Sequence, residues 1–292
     1  MPFHFKKSDS PARAVRRVCR EHIGEALACL RKSRHSAAIH GVRREIKKLR
    51  AIIRLVRGGI GRGDYRKTED ALRRAADRLA APRDAQVMLQ AFGQLAGGPA
   101  ARRFPEILKA LQKNRRREAR RFQDGDSIAV AKKCLQKTYR RWARLKIKAS
   151  GWSAIEPGLR ESYRQGRLAC EAARRQPSAE HFHEWRKQVK NFWHQLRLLC
   201  PAWPAAARVL TDRLEKLGDL LGEEHNLALL KQFIAAHCAD KTGEATALSR
   251  LIVASQKNLR AAALKLGSRL YAETPAAICH RLGNDWNDRR GK

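Results

Sequence analysis

The sequence predicts an all-α protein arranged as a tandem duplication, and three observations carry that expectation. Ala, Leu and Arg dominate, β-branched runs are scarce and strand-length polar–apolar alternation is absent, so the only period present is helical. Breaks rich in Gly and Pro separate the periodic stretches. The second half of the chain also repeats the first, residue type by residue type.

Ser10-Pro11 offers a helix cap followed by proline at the first helical position, opening a helix that reaches about Arg31. A second runs from near Ser36 to Arg57 and is stopped by Gly58-Gly59. Asp64 is expected to cap a third that ends before Pro82. A fourth spans Asp84–Leu95, closed by Gly97-Gly98-Pro99. Long helices then cover Pro105–Phe122 and Ser127–Lys148. The stretch Ala149–Gly158, which contains Pro157, is expected to be the hinge between a first half, residues 1–150, and a second, residues 151–292. Helices over Leu159–Arg175, Ser178–Leu199, Ala205–Leu221, Glu224–Ala239 and Ala245–Leu270 complete the chain.

Placing His40 over His183, an offset of 183 − 40 = 143, sets Arg43 on Arg186, Arg44 on Lys187, Lys47 on Lys190 and Arg54 on Arg197. Apolar positions follow: Ile46 falls on Val189, Leu49 on Phe192, Ile53 on Leu196 and Val56 on Leu199. After a one-residue slip, Leu79–Asp84 aligns with Leu221–Asn226. Matched apolar positions point to duplication of a helical bundle rather than to coincidence of charge.

Net charge limits the function. The 63 Lys and Arg outnumber the 28 Asp and Glu, leaving +35 on 292 residues. Solubility of a small domain needs a net charge of only about 2–8, and a larger surplus repels itself when the chain compacts. A polyanionic partner is the natural counterpart, and an ordinary neutral metabolic enzyme is not. The longest apolar run, Ala26–Leu30, is far short of the roughly 18 residues of a membrane span. The first residues, Met1–Lys7, lack a secretory apolar segment. Seven scattered cysteines (Cys19, Cys29, Cys134, Cys170, Cys200, Cys238 and Cys279), with no Cys-x-x-Cys, speak against a zinc ribbon or disulfide framework and for a reducing cytoplasm.

At about 100° per residue, His40, Arg43, Lys47, Arg50 and Arg54 share one sector of a helix, while Val42, Ile46, Leu49, Ile53 and Val56 share another. His183, Arg186, Lys190 and Arg197 repeat the cationic sector; Trp185, Val189, Phe192, Leu196 and Leu199 repeat the apolar one. A solvated basic face ordinarily interleaves acids at i±4; here Glu45 and Glu184 point off the ridge. Phosphate suits these residues, since Arg binds its oxygens through a planar fork, Lys supplies a point charge and a nearby His tends to keep its proton. Further cations lie on neighbouring helices: the run Arg115–Arg121 with Arg116 and Arg120, the acid-free stretch Ser127–Ile155, and Arg164, Arg167, Lys257 and Arg260.

The paired His-x-x-Arg-x-x-x-Lys ridges, His40–Arg43–Lys47 and His183–Arg186–Lys190, together with Arg83-Asp84 and Leu221-Gly222, resemble the CHAD family, the conserved histidine α-helical domain. The resemblance spans about Ser10 to Leu270. It implies two pseudo-symmetric four-helix bundles flanking a central basic cavity, and binding of inorganic polyphosphate, often in cytoplasmic granules, without catalysis. The ridge cations Arg44 and Lys187 join the implied binding set. The second copy departs from the first, with Trp193 for Arg50, Asn191 for Lys48 and Asn226 for Asp84, so its ridge is expected to be less charged.

Two rival functions are weighed against this. A phosphohydrolase needs metal-holding carboxylates and a positioned nucleophile, but His-Asp pairs, His-Glu-x-x-His and P-loops are all missing. No cofactor, metal site or catalytic residue is therefore expected. RNA or DNA would satisfy the same charge, yet aromatics amount to only 6%, and Trp142, Trp185, Phe122 and Phe192 stand at core spacing rather than as stacking platforms.

Overall fold

A computed structural model of the chain describes residues 3–6, 9–32, 36–97, 100–148, 150–199, 205–238 and 243–290. Regular structure among them is helical throughout, as expected: α1 (Pro11–Lys32), α2 (Ser36–Leu55), α3 (Arg62–Asp77), α4 (Ala80–Ala96), α5 (Ala100–Arg103), α6 (Pro105–Asp124), α7 (Ser127–Ala143), α8 (Glu156–Arg175), α9 (Ala179–Leu199), α10 (Ala205–His237), α11 (Glu244–Leu270) and α12 (Pro275–Arg290). Gly98, Pro99, Ala149, Cys200 and Ala239, named above as breaks, helix ends or a thiol, lie outside the described residues.

Helical periodicity translates directly into burial. The Arg13 N–H donates to Ser10 Oγ at 3.3 Å, capping α1. Val15, Val18, Cys19, Ile23 and Ala26 then line its buried stripe. In α2 the apolar sector of Val42, Ile46, Leu49 and Ile53, continued by Val56 just past its end, is wholly buried, and in α9 Trp185, Val189, Phe192, Leu196 and Leu199 are its counterpart.

These two helices pack on each other at the centre. Helix α1 flanks α2 as α8 flanks α9; α7 covers α1 and α3, and α12 covers α8. Buried polar contacts tie the central helices together: Gln195 Nε2 donates to Ala51 O at 3.1 Å, and Asn191 Nδ2 to Ser162 Oγ at 2.9 Å. A second apolar cluster joins Phe92, Phe104, Ile107 and Leu111 of the α4–α6 region to Leu230, Phe233, Leu248 and Ile252 of α10 and α11. It draws on both halves of the sequence, so α4 is held against α10 as well as α2.

Several boundaries differ from expectation, each for a local reason. The third helix does end before Pro82, at Asp77, but α4 starts at Ala80 rather than Asp84, so the proline sits in a first turn whose N–H groups lack partners anyway. Asp64 lies inside α3, whose cap position is Gly61. Helix α7 ends at Ala143 because the Lys148 N–H donates to Gly59 O at 2.9 Å, drawing that segment away. Helix α10 runs unbroken through Gly222, where two helices are expected, and α12 has no counterpart in the sequence reading. At the expected hinge the next helix begins earlier than Leu159. Pro157 and Gly158 belong to the first turn of α8, and a Cβ at Gly158 would stand 1.9 Å from Leu55 O. That glycine lets α8 close on the end of α2.

Among the described residues no helix is long and apolar enough to cross a membrane. Cys19, Cys134, Cys170 and Cys279 are buried free thiols, and Cys29 and Cys238 are half-buried.

Candidate anion-binding site

The two ridges converge. Helix α2 brings Arg43 and Lys47, α9 brings His183, Arg186 and Lys190, and α4 and α10 add Arg83 and His225. Burial first, and then the charges of Arg186, Arg43, Lys190 and Arg83, pull the Lys47 ammonium down to about 7. Lys47 nevertheless remains exposed to water. Burial and Lys187, Arg186 and Lys47 likewise lower His183, while burial and Arg83, Lys47, Arg44 and Arg43 lower His40.

Carboxylates brace the cluster. Burial lowers Arg43, opposed by Asp84 and Asp77, and lowers Arg186, opposed by Asp219 and Asp84. Lys190 Nζ donates to Asp219 Oδ1 at 3.0 Å. Burial raises the Asp84 carboxyl against the pull of Arg43, Arg83, Lys47 and Arg186, which places this acid between the two ridges. Asp77 and Asp219 are themselves a repeat, related by the slipped offset: 77 + 142 = 219. Arg43, Lys47, Arg83, Arg186 and Lys190 therefore meet Asp77, Asp84 and Asp219, leaving a cationic surplus. The side-chain Nε of Arg186 and the Nδ1 of His183 are buried without a partner among the described residues.

Backbone shape makes room for these side chains. Lys190 lies across α10 at Gly218, where a Cβ would be 2.6 Å from its Cε, and Arg186 crosses one turn further on at Gly222. Two cations lie over the Trp193 ring, Lys190 Nζ at 4.7 Å and the Arg197 guanidinium at 4.8 Å from its centre.

Other residues of the expected set are placed elsewhere. Arg50 and Arg54 turn to Glu69 of α3, at 2.7 and 2.5 Å, so the lower part of the first ridge is held and partly compensated within the fold. Arg44 is exposed and pairs weakly with Glu45 at 3.3 Å, and Lys187 pairs with Glu184. Arg164 binds Glu161 at 2.9 Å, and Arg167 binds Glu171 at 3.4 Å. Arg260 is fastened to the buried Glu224 at 2.6 Å and lies over the Phe182 ring. Arg116, Arg120 and Lys257 are exposed on α6 and α11. Glu45 does leave the ridge, as expected: it is buried, with Oε2 2.5 Å from His22 Nδ1 and both oxygens 3.1 Å from Lys48 Nζ. Burial would raise its carboxyl, but His22 and Lys48 hold it down at about 2.

Sequence reasoning missed Arg83, Asp84, His225, Asp77 and Asp219 as site residues. The slipped alignment carried their signal, because it superposes Asp77 on Asp219 and Arg83 on His225.

Residues 14–235 match the sequence profile of the CHAD domain. No curated protein matches the chain. Among solved structures, PptA from Streptomyces chartreusis is similar, with 15% identity, a TM-score of 0.66, and coverage of 90% of this chain and 99% of that one. The CHAD domain from the plant Ricinus communis is similar at 15% identity and a TM-score of 0.59, covering 92% of this chain and 94% of its own. With most of its length matching that profile, and a fold shared with these structures, the chain belongs to the CHAD domain family.

Proposed function

We propose that this protein binds inorganic polyphosphate, without catalysis, at the cluster of Arg43, Lys47, Arg83, Arg186 and Lys190, and that it associates through this cluster with cytoplasmic polyphosphate granules. The observation that carries the reading is the position of Lys47, whose ammonium is depressed to about 7 by burial and by four cations drawn from three helices. A fold that gathers like charges bears a cost that a bound polyanion offsets. The family is one of polyphosphate-binding domains, which agrees with this assignment.

Chemistry near the cluster favours a partner without bases. Trp193 is buried, with Lys190 Nζ 4.7 Å and the Arg197 guanidinium 4.8 Å from its ring centre, so it presents no open face as a stacking platform. Hydrolysis is disfavoured because the acids are already engaged: Asp219 by Lys190, and Asp84 by Arg43 and Arg83. A divalent cation at either carboxylate would face adjacent positive charge.

The test is competition at moderate salt between labelled short-chain polyphosphate and oligouridylate carrying the same number of phosphates. Polyphosphate is expected to displace the label at concentrations at least tenfold lower. Equal displacement by the oligonucleotide would overturn the assignment, and release of orthophosphate in the presence of Mg²⁺ would overturn its non-catalytic part.

A further inference from the structure

Much of the positive charge lies far from the central cluster, and one part of it lines a groove. Between α1 and α7 a groove of about 670 Å³ is bordered by Ser10, Arg13, Arg16, Arg20, Glu21 and Tyr139. Arg13, Arg16 and Arg20 recur at i, i+3 and i+7, so they stand on one stripe of α1, and all three are exposed. The acids of the region are spent on a different residue: Arg17 holds Asp9 at 2.9 Å and Glu21 at 3.3 Å. Arg13, Arg16 and Arg20 have no acidic partner among the described residues; Arg20 instead meets Tyr139, at 3.4 Å from its hydroxyl and over its ring. Like charges at such spacing destabilise a helix unless an anion lies along them.

The opposite wall extends the same field. On α7, Lys132 stands seven residues before Tyr139, hence on the same side of the helix, and Lys133, Lys137 and Arg140 are exposed on the flank about 80–140° round from it. Helix α7 packs on α1 and α3. The charges acting most strongly on Lys47 and His183 come from α2, α4 and α9, not from α1 or α7. The groove residues are therefore not among the dominant charges of the central cluster.

We propose that the α1–α7 groove is a second, independent polyphosphate-binding surface, so that one protein molecule holds two stretches of phosphate chain and cross-links long polyphosphate. This rests on the central cluster binding polyphosphate. The groove favours a phosphate chain over RNA because its one aromatic ring, Tyr139, is half-buried and covered by the Arg20 guanidinium 5.8 Å from its centre. Two sites on one molecule convert a modest affinity at each into strong retention on a long chain or a granule surface, through effective concentration.

The experiment compares the full chain with a groove variant, R13E/R16E/R20E, and a central variant, K47E/R186E. Binding of short-chain polyphosphate is measured by calorimetry, and condensation with long-chain polyphosphate by light scattering. The full chain is expected to bind two equivalents of short chain and to scatter strongly with long chain. The groove variant should bind one equivalent and lose at least tenfold of the scattering. Scattering unchanged in the groove variant would overturn the second surface, while two equivalents retained by the central variant would overturn the central assignment instead. The milder R13Q/R16Q/R20Q, checked for native helicity and melting temperature, gives the same readout should charge reversal unfold α1. If oligouridylate of equal charge condenses the full chain as well as polyphosphate does, the groove is an RNA surface and the proposal fails.

Discussion

The imidazoles of His183 and His225 stack with ring centroids 4.1 Å apart and planes 29° from parallel. Two imidazolium ions would not rest face to face beside Arg186 and Lys47. Burial, followed by His183, Arg186 and Lys47, accordingly holds His225 at about 3. His183 is lowered by burial and the neighbouring cations. In the free protein the stack is neutral near pH 7, and a polyanion laid across it would favour a proton on His183 alone.

Polyphosphate binding should therefore take up protons. Lys47 titrates near 7 in the free protein and must move upward beside phosphate. A ligand that prefers the protonated form binds best at low pH, so affinity should fall as pH rises above about 7. Calorimetry in buffers of different ionisation enthalpy should register net proton uptake at neutral pH, and K47R should flatten the pH profile above neutrality, because arginine stays charged. No uptake in any buffer would mean that Lys47 does not meet the ligand.

The same amine should cost stability when the site is empty. Its folded value is lower than its unfolded one, so the unfolded chain binds more protons between about 7 and the ordinary lysine range. Stability must then rise with pH through that window, and the penalty is fully present below it. K47M should raise the melting temperature of the ligand-free protein by about 2 °C or more at pH 6, with the gain shrinking toward pH 10. Polyphosphate affinity should drop at least tenfold in the same variant. A lower melting temperature at pH 6 would show that Lys47 stabilises the empty fold.

How much of this was legible in the chain differs residue by residue. The helical period placed Val42, Ile46 and Leu49 in the core and Arg43 and Lys47 off it, because 100° steps along one helix need no knowledge of its neighbours. The same arithmetic could not separate Lys47 from Arg50 and Arg54. That division is made by Glu69, which only the crossing of α3 over α2 brings within reach. Arg260 reads as a free cation until Glu224, 36 residues earlier, is found buried beneath it. Pro82 reads as a stop because proline breaks helix interiors, but the break falls just before it and the first turn tolerates it.

Glu69 should thus be a structural residue of the first ridge. It accepts from Arg50 Nε at 3.0 Å and from the terminal nitrogens of Arg50 and Arg54, while its Oε2 is buried without a partner among the described residues. Glu69→Ala leaves two half-buried guanidinium groups unpaired. Urea unfolding should show a loss of about 1.5–3 kcal/mol, the range for hydrogen bonds to charged groups. Short-chain polyphosphate affinity should not fall. A severalfold loss would mean that Arg50 and Arg54 must be held by Glu69 to serve the ligand.

Two glycines that look alike in the sequence should behave in opposite ways when replaced by alanine. At Gly158 the new methyl would meet the backbone of α2, with Leu55 O at 1.9 Å and its carbonyl carbon at 2.4 Å. Backbone cannot step aside without separating α8 from α2, so Gly158→Ala should destabilise by about 1–3 kcal/mol, the usual scale of overpacking. At Gly218 the methyl would meet only the Lys190 side chain, at 2.6 Å from Cε and 2.8 Å from Nζ. A lysine can swing away, and alanine favours the helix over glycine by roughly 0.5–1 kcal/mol. The melting temperature of Gly218→Ala should therefore hold or rise, while displacement of Lys190 from Asp219 lowers polyphosphate affinity severalfold. Thermal melts paired with calorimetry on both variants separate the outcomes. Unchanged affinity in Gly218→Ala would remove Lys190 from the binding cluster, and an unchanged melt in Gly158→Ala would show that α8 does not need that close approach.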